Sequence, residues 1–227
     1  MELDLSTNQS KRVLLRKRRI EQKRRKTTTM ILVVLGAILL ISLIIILPNL
    51  LRNQSRTAEG RGFALGDPDA PVSVVNFSSF NCGFCADFSA TVEPEFIATY
   101  VDTGDVYYRY VTIAPAGDAA AQNAAKASYC AGSQNQFFNF KSYLYSAASV
   151  ENEFSTDNLA NLAANAGLDQ PQFESCMEDD THKTAPTEDL RFAQSVGVTG
   201  TPSFLVNNDQ LVFSNELIPL VDSLLNR

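Results

Sequence analysis

The sequence predicts an α/β domain, a small sheet interrupted by an α-helical insertion, set behind a single transmembrane helix. Three observations predict this. Met30 to Leu47 holds no charged residue, and only Gly36 and Ser42 are not strongly apolar. Residues 72–112 read as strand, helix, strand. An alanine-rich stretch without strand signals then separates that unit from a second group of strand patterns at 203–213.

Charge is distributed unevenly along the 227 residues. Residues 1–29 carry ten Lys or Arg, including Lys11, Arg16 and Lys26, against Glu2, Asp4 and Glu21. That tail is +7 where the whole chain is −6, so the remainder is −13. Alone, such a basic cluster suggests nucleic-acid binding. The apolar run that follows argues against a nucleic-acid partner. Extended to Leu51 it is about 20 residues, enough to cross a ~30 Å hydrocarbon core as a helix, and it lacks the polar stripe of a buried soluble helix. The basic residues hold the cytoplasmic side, so the chain after Arg52 is expected outside the cytoplasm. The run is longer than a typical signal-peptide core, and no small-x-small cleavage pattern follows Pro48, so it reads as an uncleaved anchor rather than a long cleaved signal. The expected organisation is a cytoplasmic tail at 1–29, an anchor in the lipid bilayer at 30–51, a polar tether at 52–65 and a folded domain at 66–227.

Gly66-Asp67-Pro68-Asp69-Ala70-Pro71 is turn chemistry. Val72 to Ser78, rich in β-branched and aromatic residues, is the first predicted strand. After it, Ala86, Phe88, Val92, Phe96 and Ile97 recur at helical spacing, and Pro94 should kink or split that helix because it lacks an N–H and clashes with the preceding turn. Val106 to Thr112 is the second strand, closing a βαβ unit with a right-handed crossover. Asp118 to Val196 reads as helices at about 118–131, 134–147, 156–166, 170–178 and 187–196, with Gly167 a C-cap. Ser203 to Val206 and Gln210 to Phe213 form a hairpin about Asn207-Asn208-Asp209, and a last helix runs from about 215 to 225.

The chemistry sits in Cys82-Gly83-Phe84-Cys85. Two cysteines three apart can close into a disulfide. Cys82 is expected at the start of the helix, where free N–H groups and the helix dipole favour a thiolate and lower its pKa. Cys85, one turn on, can attack a mixed disulfide on Cys82. A zinc site would need two more ligands, but Cys130 and Cys176 stand alone and His182 is the only histidine. His182 is expected on the surface of the insertion. The aromatics Phe137, Phe138, Phe140, Tyr143 and Tyr145 are expected as core and rim packing that can border a substrate groove.

Residues 66–227 resemble the DsbA-like branch of the thioredoxin superfamily, whose thioredoxin fold carries an inserted helical subdomain. The resemblance is carried by Gly66 to Val72, Cys82-Gly83-Phe84-Cys85, Tyr100-Val101-Asp102-Thr103-Gly104 and Gly197-Val198-Thr199-Gly200-Thr201-Pro202-Ser203-Phe204. It implies that Cys82 is the exposed nucleophile, that Cys85 resolves, and that Pro202 is cis and lies against the dithiol. Thr201 would then present its backbone to an extended substrate, which pairs like an added strand. It implies a second, structural disulfide between Cys130 and Cys176. It implies exported proteins as substrates and reoxidation by a quinone-coupled membrane protein, DsbB-like or similar to vitamin K epoxide reductase, and no cofactor. Two departures stand out. Gly83-Phe84 supplies no histidine between the cysteines, which predicts a milder oxidant. Asn76 occupies the position where relatives commonly bury an acid beneath the pair, and an amide is no base at neutral pH. A reductase or isomerase, or a peptide-binding assembly factor with an idle dithiol, remain the competing readings at this level.

Overall fold

The computed structural model describes residues 63–148, 154–180 and 182–227. The basic segment 1–29, the apolar run 30–51 and the tether up to residue 62 lie outside the described residues. Among the described residues, no helix is long and apolar enough to cross a membrane.

The sheet has five strands: β1 (Ala64–Leu65), β2 (Val72–Ser78), β3 (Val106–Thr112), β4 (Ser203–Val206) and β5 (Gln210–Phe213), in the order β1-β3-β2-β4-β5. β2 and β3 run parallel, with Val74 opposite Tyr108. β4 pairs antiparallel with β2, Asn76 facing Phe204, and β5 closes the hairpin. The parallel pair is joined by α1 (Gly83–Thr91), α2 (Glu93–Phe96) and a π-helical turn (Ile97–Val101). Pro94 splits the helical pattern as its chemistry requires, standing in the first turn of α2, where its missing N–H costs nothing. The insertion supplies α3 (Ala119–Gly132), α4 (Phe137–Ala147), α5 (Thr156–Asn165), α6 (Gln170–Glu178) and α7 (Ala185–Ser195), and α8 (Ser214–Leu224) ends the fold.

Strand alternation divides the core into two faces. Val74, Tyr108, Phe204 and Val206 point to one side, against Phe88 and Phe96 from the crossover and Leu217 and Val221 of α8. Val75, Phe77, Val111 and Leu205 point to the other, against Ala193 and Phe192 of α7. The insertion has its own core, in which Phe137, Phe140, Leu144, Leu159 and Phe173 are all but fully buried. Phe80, just before the dithiol, and Tyr110 of β3 belong to that core.

β1 corrects the tether boundary. Residues 63–65 lie in the stretch 52–65 whose composition reads as polar linker, yet Ala64 pairs with Arg109 and Tyr110 N donates to Phe63 O at 2.8 Å. The Phe63 ring lies 4.7 Å from Phe137 and 4.8 Å from Tyr129, centroid to centroid. A two-residue edge strand is too short to register as a period-2 pattern, so the polar residues around it dominate the reading.

Candidate redox site

β2 ends at Ser78, and the chain turns through Phe80 and Asn81 into α1. Cys82 is the N-cap of α1, with extended backbone (φ −101°, ψ 114°). Its carbonyl accepts from the N–H groups of Cys85 and Ala86, both at 3.0 Å. Asn81 donates its side-chain amide to Asp118 at 3.0 Å, and the same carboxylate caps α3 through Ala121 N at 2.9 Å. The dithiol turn is thereby fastened to the first helix of the insertion.

Both thiols are free. Cys82 is partly exposed, Cys85 is buried, and the Phe84 ring between them is 80% exposed. Thr201–Pro202 is cis, and the Cys82 thiol donates to the Thr201 carbonyl at 3.3 Å. The β4 end of the sheet therefore lies against Cys82, with Ser203 Oγ bonded back to Gly200 O at 2.7 Å.

The two thiols are driven apart electrostatically. Partial burial works against a Cys82 thiolate. Hydrogen bonds from the Thr201 side chain, from Cys85 and from the N–H groups of Cys85 and Phe84 outweigh it and hold Cys82 below the ordinary thiol value. Cys85 is pushed up to about 12, first by burial and further by the charge on Cys82. The first sulfur is eased toward the thiolate and the second is held as a thiol.

A family profile described as "Thioredoxin" matches residues 58–217. The chain belongs to this family. It is 28% identical over 151 residues to a probable disulfide bond formation protein D of Bacillus anthracis, covering 64% of this chain and 70% of that one. It is 29% identical over 153 residues to a putative protein-disulfide oxidoreductase of Rickettsia bellii, covering 64% of this chain and 57% of that one. The crystal structure of oxidised BdbD from Bacillus subtilis superposes with a TM-score of 0.65 at 24% identity, covering 74% of this chain and 95% of that one, a likeness of fold. Within the thioredoxin fold, the inserted helices are the α3–α7 block described above.

The remaining site residues fall as follows. Cys130 of α3 and Cys176 of α6 are bonded to each other, Cα–Cα 5.7 Å, within the insertion core. His182 lies away from the dithiol, its Nε2 3.0 Å from Ser133 Oγ and its ring stacked on Tyr129. Among the described residues no cluster of His, Cys, Asp or Glu could hold a metal ion. Asn76 is 1% exposed, donates to the Tyr108 hydroxyl at 2.6 Å and accepts from Ser78 Oγ at 2.6 Å.

Sequence reasoning missed a buried ionic cluster. Glu93 of α2 and Lys141 of α4 form an ion pair and are only 2% and 4% exposed. Tyr108 donates to Glu93 Oε1 at 2.8 Å, Ser89 donates to Oε2 at 2.9 Å, and Lys141 Nζ donates to Ser89 Oγ at 2.7 Å. Tyr110 and Tyr145 share a hydroxyl–hydroxyl hydrogen bond, and Lys141 Nζ lies 5.6 and 5.8 Å from their ring centroids. The signal that could have found the cluster is a lysine in an otherwise aromatic and apolar helix face, Phe137 to Tyr145. A charge there needs a partner.

Proposed function

We propose that this thiol–disulfide oxidoreductase introduces disulfides into exported proteins, working on the outer face of a membrane that residues 30–51 span. The observation that carries the reading is the division of labour in the dithiol. Cys82 is accessible, sits at a helix N-cap and is held below the ordinary thiol value, whereas Cys85 is buried and pushed up to about 12.

Chemistry follows from that division. In the oxidised protein a substrate thiolate attacks Cys82 Sγ, the Cys82–Cys85 bond breaks, and Cys85 leaves with the electron pair and takes up a proton. A second substrate thiolate then attacks the substrate sulfur held on Cys82, forming the substrate disulfide and releasing Cys82 as a thiolate. That departure is favoured because a low-pKa thiol leaves readily. The Thr201 carbonyl beside Cys82 and the exposed Phe84 ring form the surface that an extended chain meets. Two electrons remain on the enzyme, and a quinone-coupled membrane protein, DsbB-like or similar to vitamin K epoxide reductase, is the partner that removes them. The relatives named for disulfide bond formation support the direction.

The test is the reduction potential of the Cys82–Cys85 couple, equilibrated with glutathione, together with two variants. A value near about −120 mV supports oxidation, and one near about −270 mV assigns the protein to reduction or isomerisation. Cys82→Ser should abolish exchange and Cys85→Ser should accumulate mixed disulfides. Exchange that survives Cys82→Ser refutes the assignment. Release of the protein from membranes by an alkaline wash would refute the anchor.

A further inference from the structure

Cys85 cannot take part in exchange without a proton moving at its sulfur. When it leaves Cys82 it must gain one; when it attacks a mixed disulfide it must lose one. It is 1% exposed, so bulk water does not reach it freely, and position 76 offers an amide. Ser89, one helical turn beyond Cys85 on α1, accepts from Lys141 Nζ at 2.7 Å and donates to Glu93 at 2.9 Å, and the Tyr110 and Tyr145 hydroxyls each sense the charge of Cys85. Tyr145 is also within hydrogen-bonding reach of Ser78, and its ring packs 5.2 Å from Phe80, two residues before Cys82. The same two rings form one wall of the site that holds the Lys141 ammonium, and Glu93 forms the other.

We propose that the buried Glu93–Lys141 pair, joined through Ser89 to the turn of α1 that follows Cys85 and seated against the Tyr110 and Tyr145 rings, sets the charge balance under which Cys85 gains and loses its proton, in place of a single acid at position 76. Both are positioning residues: neither touches the reacting sulfurs. The proposal rests on the reading of Cys82–Cys85 as the exchanging pair. In resolution, Cys85 Sγ gives up its proton and bonds to Cys82 Sγ, the bond from Cys82 to the substrate sulfur breaks, and the substrate sulfur leaves with the electron pair and accepts a proton. The pair changes how easily that proton is given up. Lys141 favours a thiolate at Cys85, and Glu93 opposes it.

Three arguments favour a functional over a purely structural pair. Two buried charges are expensive to desolvate, and apolar residues of similar volume would often serve stability as well. Each partner also has polar or ring contacts of its own: Glu93 accepts from Tyr108 and Ser89, and Lys141 lies within 6 Å of three aromatic ring centres as well as on Ser89. Third, the cluster is joined to the strand beneath the dithiol. Ser78 donates to Asn76, Asn76 to Tyr108, and Tyr108 to Glu93, so every donor in this chain is oriented toward the carboxylate.

The test follows the reduced full-length protein reacting with an aromatic disulfide that releases a coloured thiolate. The first release reports attack by Cys82 and the second reports resolution by Cys85. The titratable groups whose charge is coupled to Cys85 are Cys82 at the N-cap of α1, Tyr110 on β3 and Tyr145 on α4, with Tyr108, Glu93 and Lys141 linked to them by hydrogen bonds and ring contacts; the Thr201–Pro202 loop adds none that titrates. Lys141→Met should slow the second release about tenfold between pH 6 and 9, and Glu93→Gln should accelerate it, while the first release is nearly unchanged in both. Opposite signs cannot come from a shared packing defect. Same-sign changes, or no change, overturn the proposal. Should either variant fail to fold, Tyr145→Phe keeps the ring and removes only the hydroxyl; it should slow the second release alone, and an unaltered second release overturns the link to Cys85. If Cys85→Ser gives the same second release as the native protein, the reading of the dithiol itself fails, and the proposal with it.

Discussion

Replacing Cys130 and Cys176 together by alanine removes the only covalent tie between α3 and α6 among the described residues. The bond closes a loop with a sequence separation of 46. On the chain-entropy account a loop of that length restricts the unfolded chain by about 4 kcal/mol at 25 °C. Cys130 is 1% exposed among Phe137, Leu159 and Phe173, so alanine there leaves a small void as well, not a buried polar group. The expected loss is therefore about 4 kcal/mol. With a urea slope of about 2 kcal/mol/M, the unfolding midpoint should fall by about 2 M. The assay is equilibrium urea unfolding of the two proteins in parallel, followed by circular dichroism, with the Cys82 exchange rate measured on the same samples. Because the disulfide ties α3 to α6 inside the insertion whereas Cys82 caps α1, exchange at Cys82 should stay within about twofold. A stability loss below about 1 kcal/mol would refute the loop-entropy reasoning. An exchange rate changed more than about tenfold would mean that this disulfide is coupled to the dithiol, as in a redox relay.

Three further outcomes follow from the site and its supports. Alkylation of the reduced protein by iodoacetamide should rise with pH through a midpoint below the ordinary thiol value, as Cys82 becomes thiolate, and stop at one adduct per chain until far more alkaline pH, since Cys85 holds its proton up to about 12; mass spectrometry showing two adducts at neutral pH would contradict this. Phe84→Ala should leave the melting temperature within about 2 °C, because the ring is 80% exposed, yet raise KM for an unfolded protein substrate; an unchanged KM removes Phe84 from the binding surface. Gly66→Ala should destabilise by more than about 2 kcal/mol, since φ is +91° and a Cβ would lie 2.5 Å from the Val106 carbonyl oxygen; a neutral result in thermal unfolding would show that the β1–β2 turn relaxes.

Much of this protein is written locally. The strands at 72–78, 106–112, 203–206 and 210–213 are short runs whose β-branched and aromatic side chains declare themselves, and the inserted helices lie within three residues of their predicted ends. The Cys82–Cys85 spacing and the helix start are likewise properties of consecutive residues, whereas the burial of Cys85 beside a partly exposed Cys82 is decided by the packing around them. What tertiary structure alone decided are relations between distant residues. Glu93 and Lys141 are 48 positions apart. Glu93 precedes a proline, and Lys141 on its aromatic and apolar helix face signals the need for a partner without saying which residue supplies it. Ala64–Leu65 is a strand only because β3 presents a free edge to it. Hydrophobic period and turn chemistry act over a few residues, so sequence determines the elements and the thiols. The pairing of buried charges depends on which faces meet once helices pack, and that is set by the whole core.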